Sequence, residues 1–142
     1  MSTFGDRQVA CAVLVDTFGR FLLQQRDDVS GILHPGKVGL FGGHREGKES
    51  YLECVVREIQ EEISYYVSPG RFKHLGSYDG LDIELDGSSL HGEFFVATDI
   101  PVDILRITEG SLLVVQREEV IAVDPRFTPT ARFAMNLMLN QK

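Results

Sequence analysis

Apolar residues run through Gln8–Val15, "QVACAVLV", over the length of one strand. "DTFGR" interrupts them and "FLLQQR", Phe21–Arg26, resumes, so the two segments predict a hairpin turning at Gly19. "DDVSGILHPGK" reads as a loop punctuated by Gly31, Pro35 and Gly36, and "VGLFGG" as one short strand running into glycines. The period then changes. Leu52, Val55, Val56, Ile59 and Ile63 recur at helical spacing behind Ser50, which suits an N-cap. After the breakers Pro69 and Gly70, "FKHLGSYDG" and "SLHGEFFVATDI" predict two more strands, and "DILRITEGSLLVVQ" a loop leading to another. "REEVIAV" predicts a short helix and "TPTARFAMNLMLN" a longer one with Pro129 in its first turn. Strands mixed with two or three helices predict an α/β or α+β layered fold.

A length of 142 residues fits one domain, residues 1–142, with its own hydrophobic core. The formal net charge of −7 argues against binding to nucleic acid backbones or to anionic membranes. It leaves room for a small anionic substrate if cations bridge the repulsion. Cys11 and Cys54 are too few for a disulfide framework or a zinc site and read as reduced, partly buried thiols. The N-terminal stretch has no basic region before its apolar run, and no segment is long enough to span a bilayer. The expectation is a cytoplasmic domain.

The unusual chemistry sits on the first helix. Glu58, Glu61 and Glu62 fall at i, i+3 and i+4 and share one face, with Val55, Val56, Ile59 and Ile63 opposite. Like charges at this spacing cost a helix a few tenths of a kcal/mol per pair, roughly, unless something offsets them. A divalent cation does so, and an all-oxygen carboxylate site favours Mg2+, Mn2+ or Ca2+ over zinc. A glycine-rich loop enters the helix, and its bare backbone can approach a ligand closely. Glu49, Glu53 and Arg57 step by four, which predicts an i, i+4 ion pair between Glu53 and Arg57.

These residues resemble the Nudix hydrolase box, G-x5-E-x7-R-E-U-x-E-E-x-G-U, with U a bulky apolar residue. Gly43, Glu49, Arg57, Glu58, Ile59, Glu61 and Glu62 match in register. The order of flanking strands and helices also resembles the family. Ser64 stands where the family has glycine, followed by Tyr65. If Ser64 closes the helix in the left-handed conformation, it costs about 1 kcal/mol relative to glycine.

The resemblance implies a Nudix-type α/β/α sandwich with a mixed sheet. It implies Mg2+-dependent hydrolysis, with Mn2+ as a substitute, of a diphosphate linked to another group, commonly in a nucleotide. Glu58, Glu61 and Glu62 would then hold metal and form the catalytic set, with the Gly43 carbonyl completing the shell. Glu58 could alternatively orient or deprotonate the attacking water. Glu49 and Arg57 would brace the loop against the helix. A further acid outside the box is expected, with Glu109 in its loop ahead of Glu93 in its strand, because a loop can bend toward the metal. Arg26 is a candidate for a phosphate and Phe41 for stacking on a base.

The substrate is less legible. "HPGKVGLFGG" partly resembles coenzyme A pyrophosphatases at His34, Gly36 and Val38, while Pro69 and Tyr78 come too early for the ADP-ribose and dinucleoside polyphosphate patterns. The four histidines show no mutual spacing that demands metal or catalysis. A small-molecule nucleotide is the expected partner, and a homodimer is compatible with the sequence. The rival reading is a catalytically weak sensor domain that binds nucleotide.

Overall fold

The computed structural model describes residues 7–85 and 87–141. Seven strands form one mixed sheet organised around β1 (Arg7–Asp16). The apolar run lets β1 be buried on both faces, so it takes partners along its whole length. The predicted hairpin forms: β1 pairs antiparallel with β2 (Phe21–Gln25) through Leu14 opposite Leu22 and Val15 opposite Phe21. Gly19 takes φ 84° in the turn, a conformation that suits glycine.

Beyond these pairs the two strands part, and the segment expected as one short strand fills the gap as two. β3 (Val38–Gly39) pairs with β2, and β4 (Phe41–His44) pairs with β1. Leu40 is the crossing point. A single ladder cannot serve both partners, which is why the expected strand is divided.

The remaining ladders complete the sheet. β5 (Lys73–Leu81) pairs antiparallel with β6 (Ser89–Ile100), and β6 runs parallel to β1. β7 (Ser111–Val115) covers the outer edge of β2. The parallel β1–β6 ladder makes an otherwise antiparallel sheet mixed.

Alternate residues of β1 feed two cores. Ala10, Ala12 and Leu14 join Phe41 and the apolar face of α1 (Tyr51–Ile63). Val13 and Val15 join Phe94 and the apolar face of α3 (Pro129–Leu139). Helices on both faces of one mixed sheet bear out the predicted layered α/β (α+β) sandwich.

α1 begins as its sequence dictates. Ser50 Oγ accepts from the Glu53 amide at 3.0 Å, and Glu53 Oε1 accepts from the Ser50 amide at 2.7 Å, closing a capping box. Glu53 is therefore committed to the helix start and does not make the expected ion pair with Arg57. Val55, Ile59 and Ile63 are fully buried, worth roughly 1.5–3 kcal/mol each. That outweighs the few tenths lost to glutamate repulsion, so the helix stands without help from a ligand. It ends at Ser64, which takes the left-handed conformation at φ 57° and ψ 39°.

α3 starts at Pro129 behind Thr128, whose hydroxyl accepts from the Ala131 amide. "REEVIAV" resolves into a single 3₁₀ turn at Arg117–Glu119 and the four-residue α2 (Val120–Val123). No helix among the described residues is long and apolar enough to cross a membrane.

Candidate active site

A cavity of about 410 Å³ opens where β1 and β2 part. Val9 and Cys11 of β1, Gln24 of β2 and Gly39, Leu40, Gly42 and Gly43 line it, and α1 supplies Glu58 and Glu62. The glycines of β4 are required by closeness. A Cβ added to Gly43 would fall on the Glu58 carboxylate, so only glycine lets that acid lie against the strand.

Glu58 is held from behind. Arg57 Nη1 donates to Glu58 Oε2 at 2.8 Å, while Nη2 and Nε donate to the two oxygens of Glu49 at 2.7 and 3.1 Å. Arg57 also donates to the His44 carbonyl, and Glu49 Oε1 accepts from the Glu46 amide. One guanidinium therefore ties the incoming loop to the helix, which is the bracing role expected of Glu49 and Arg57. Its hydrogen bonds hold the Glu49 carboxyl down at about 2. Glu61 lies on the outward side, 59% exposed, touching Arg57 at 3.4 Å and outside the cavity wall.

Glu62 is in the opposite situation. Its Oε1 accepts from the Gly42 amide at 2.7 Å, and no Lys, Arg or His side chain pairs with it among the described residues. Burial pushes its carboxyl up to about 8; the Gly42 amide opposes this, and Glu58, Glu109 and Glu61 add to it.

Glu109 reaches the same cavity by a latch that sequence reading did not anticipate. The Arg106 and Thr108 amides donate to the carbonyls of Ile63 and Glu62, and the Thr108 hydroxyl donates to that of Glu61. These are carbonyls that the end of α1 leaves open. On the other side, buried Gln24 donates to the Glu109 carbonyl at 3.1 Å. Gly110 follows at φ 67°, where an added Cβ would strike the Gln25 carbonyl. The signal for Gln24 was present as a glutamine within an apolar strand.

Glu93, the competitor, is elsewhere. Its oxygens are taken by Ser77, His74 and His91 at 2.6 Å each. Phe41 is fully buried in the core under α1. Its ring packs in that core and does not line the cavity, so the expected base-stacking role is corrected to packing. Arg26 does line the cavity, its Nε bonded to the Leu33 carbonyl and its Nη1 3.4 Å from Gln24 Oε1. His34, Glu84, Thr128 and Thr130 also line it, and sequence reading assigned none of them a site role.

The acids around this cavity fit a hard divalent cation by chemistry: Glu58, Glu62 and Glu109 line it, with Gly43 beside them. Among the described residues no three acidic, His or Cys side chains already stand at ligand spacing. The fit therefore rests on the donor set and on Glu62, a buried acid whose charged form lacks a cationic partner.

The family model of the NUDIX domain matches residues 5–123. No match emerges among curated protein sequences. Among solved structures, the chain is similar to a MutT protein from Methanosarcina mazei Go1, at 20% identity and TM-score 0.75 over 96% of each chain. It is also similar to a mMutator MutT protein from Bacillus halodurans, at 23% identity and TM-score 0.71, covering 95% of this chain and 83% of that one. A third likeness is to a bifunctional NMN adenylyltransferase/ADP ribose pyrophosphatase from Francisella tularensis complexed with AMP and a manganese ion. There the identity is 16% and the TM-score 0.71, over 94% of this chain and 41% of that one. With its motif in register and its acids gathered on one cavity, the chain belongs to the NUDIX family of hydrolases, enzymes that act on pyrophosphate bonds.

Proposed function

We propose that residues 1–142 act as one Mg2+-dependent pyrophosphohydrolase of a nucleoside triphosphate, nucleotide sugar or related nucleoside diphosphate derivative. The observation that carries this reading is the gathering of Glu58, Glu62, Glu109 and Gly43 around one cavity of about 410 Å³. That volume suits a nucleotide-sized ligand. A divalent cation bound there supplies charge neutralisation to the phosphate oxygens.

The chain's own groups do the rest. With a cation bound, Glu58 and Glu62 would present carboxylate oxygens at the phosphate end, Glu58 braced by Arg57 and Glu62 by the Gly42 amide. Glu109 closes that end from its latched loop. Arg26 offers N–H donors from the wall to a phosphate oxygen. One carboxylate takes the proton from the attacking water as its oxygen bonds to phosphorus and the bridging P–O bond breaks; Glu58 and Glu62 are the candidates. Glu61 contributes through Arg57 in this arrangement. Two free thiols, Cys11 and Cys54, suit a cytoplasmic setting.

The test is release of phosphate or pyrophosphate from a nucleotide panel, with Mg2+, with EDTA, and with Glu62→Gln. Hydrolysis that survives EDTA, or that the variant retains in full, would overturn the reading.

A further inference from the structure

The cavity has a second polar wall, which belongs to α3 and the β5–β6 connection. Glu84 is nearly buried, its side chain 8% exposed. Its Oε2 accepts from the Thr130 hydroxyl at 2.7 Å and from the Thr130 amide at 3.4 Å. Its Oε1 has no hydrogen bond among the described residues; Arg7 Nη2 stands 3.6 Å away, and Arg7 is shared with Asp82. Beside it, His34 Nε2 is buried without a hydrogen-bond partner, 4.0 Å from Glu84 Oε2, which is too long for a bond. His34 is also held at φ 54°, a left-handed conformation that costs a non-glycine residue energy. Both side chains line the cavity that Glu62 and Cys11 line, and the Cys11 thiol is pushed up first by burial and then by Glu62 and Glu84.

A carboxylate oxygen held only by a long contact to Arg7 stands beside a buried ring nitrogen that has no partner, and that nitrogen is costly unless a ligand completes it. Charge selects the ligand. Arg7 is already answered by Asp82 and Glu84, so this wall repels phosphate and accepts a neutral group that donates N–H bonds. Resting on the hydrolase reading above, we propose that Glu84 and His34 determine specificity by reading the exocyclic amino group of a nucleobase. Glu84 Oε1 accepts its N–H, and His34 Nε2 makes a second polar contact to the same edge. The substrate is thereby oriented with its phosphates toward α1 and its base toward α3.

The test uses nucleotide pairs that differ at the amino group: guanosine against inosine triphosphate, and cytidine against uridine triphosphate. The wild-type chain should favour the amino member of its preferred pair by about tenfold or more in kcat/KM, because the other member has no N–H to donate to Glu84 Oε1. In Glu84→Gln, which keeps an oxygen for Thr130, the preference should shrink or reverse through KM with kcat held. Equal handling of both members by the wild-type chain, with turnover still lost in Glu62→Gln, would overturn this assignment and leave the hydrolase reading standing. Amino-selective binding measured by calorimetry, without turnover of any nucleotide, would do the reverse. Binding of neither member of either pair would overturn the assignment outright.

Discussion

Glu62 and Glu93 are both partly buried acids beside the same sheet, yet their surroundings differ in kind. Burial pushes Glu93 up, but donors from Ser77, His74 and His91 outweigh it and hold its carboxyl below the ordinary range. Glu62 is buried more deeply, with the Gly42 amide opposing its desolvation and three acids worsening it. A carboxylate whose lone pairs are already taken by the protein is part of the architecture. One buried deeply enough to keep its proton, with no cation to ionise against, leaves a place for something the protein does not contain.

The comparison breaks most visibly in turnover. Glu62→Gln should lower kcat by about 10³-fold, equivalent to about 4 kcal/mol in the barrier, with the fold intact. Glu93→Gln should leave kcat within about twofold and instead cost about 1 kcal/mol of stability in urea titrations, the worth of a lost charge-assisted bond. Equal losses of activity in both variants would erase the distinction.

The next effect is electrostatic. Glu62 binds its proton more tightly when folded, so its contribution to the stability of the cation-free protein should decline as pH rises from about 4.5 to about 8. Glu49 has the opposite sign. Its depressed value near 2 gives stability that is present above about 4.5 and lost as pH falls toward 2. Unfolding curves for Glu62→Gln and Glu49→Gln, each against the parent across this range, should tilt in opposite directions; parallel curves would refute the pairing.

A smaller loss is expected on moving from ligands to their supports. Gln24→Leu frees the loop that carries Glu109 and should weaken Mn2+ binding, read by electron paramagnetic resonance, by about tenfold. The smallest effect belongs to the helix end, where Ser64→Gly should raise stability by about 1 kcal/mol and leave kinetics alone.

The box was legible because its chemistry is local. Glu49, Arg57, Glu58 and Glu62 lie within one loop and one helix, so spacing alone puts them together. The bounds of β6 and α3 were legible for the same reason, since period and caps are properties of short segments. What escaped was set by tertiary register. Phe41 and Gly43 share a face of β4, but which neighbours that face meets depends on pairing with β1. Gln24 meets Glu109 across 85 positions, and Glu84 meets Thr130 across 46, so no periodicity could announce them. Glu53 misled because two local rules competed for it, and the capping box prevailed over the ion pair.

The latch after β6 has a consequence for how the site could be watched. The Arg106 and Thr108 amides are bonded to the final carbonyls of α1 in the arrangement that places Glu109 at the cavity. Their deuterium uptake is therefore a clock on site assembly: slow exchange means the loop is seated, and fast exchange means that Glu109 has left. Two backbone amides far apart in sequence from the catalytic box would report, without substrate, how often the enzyme is ready to work.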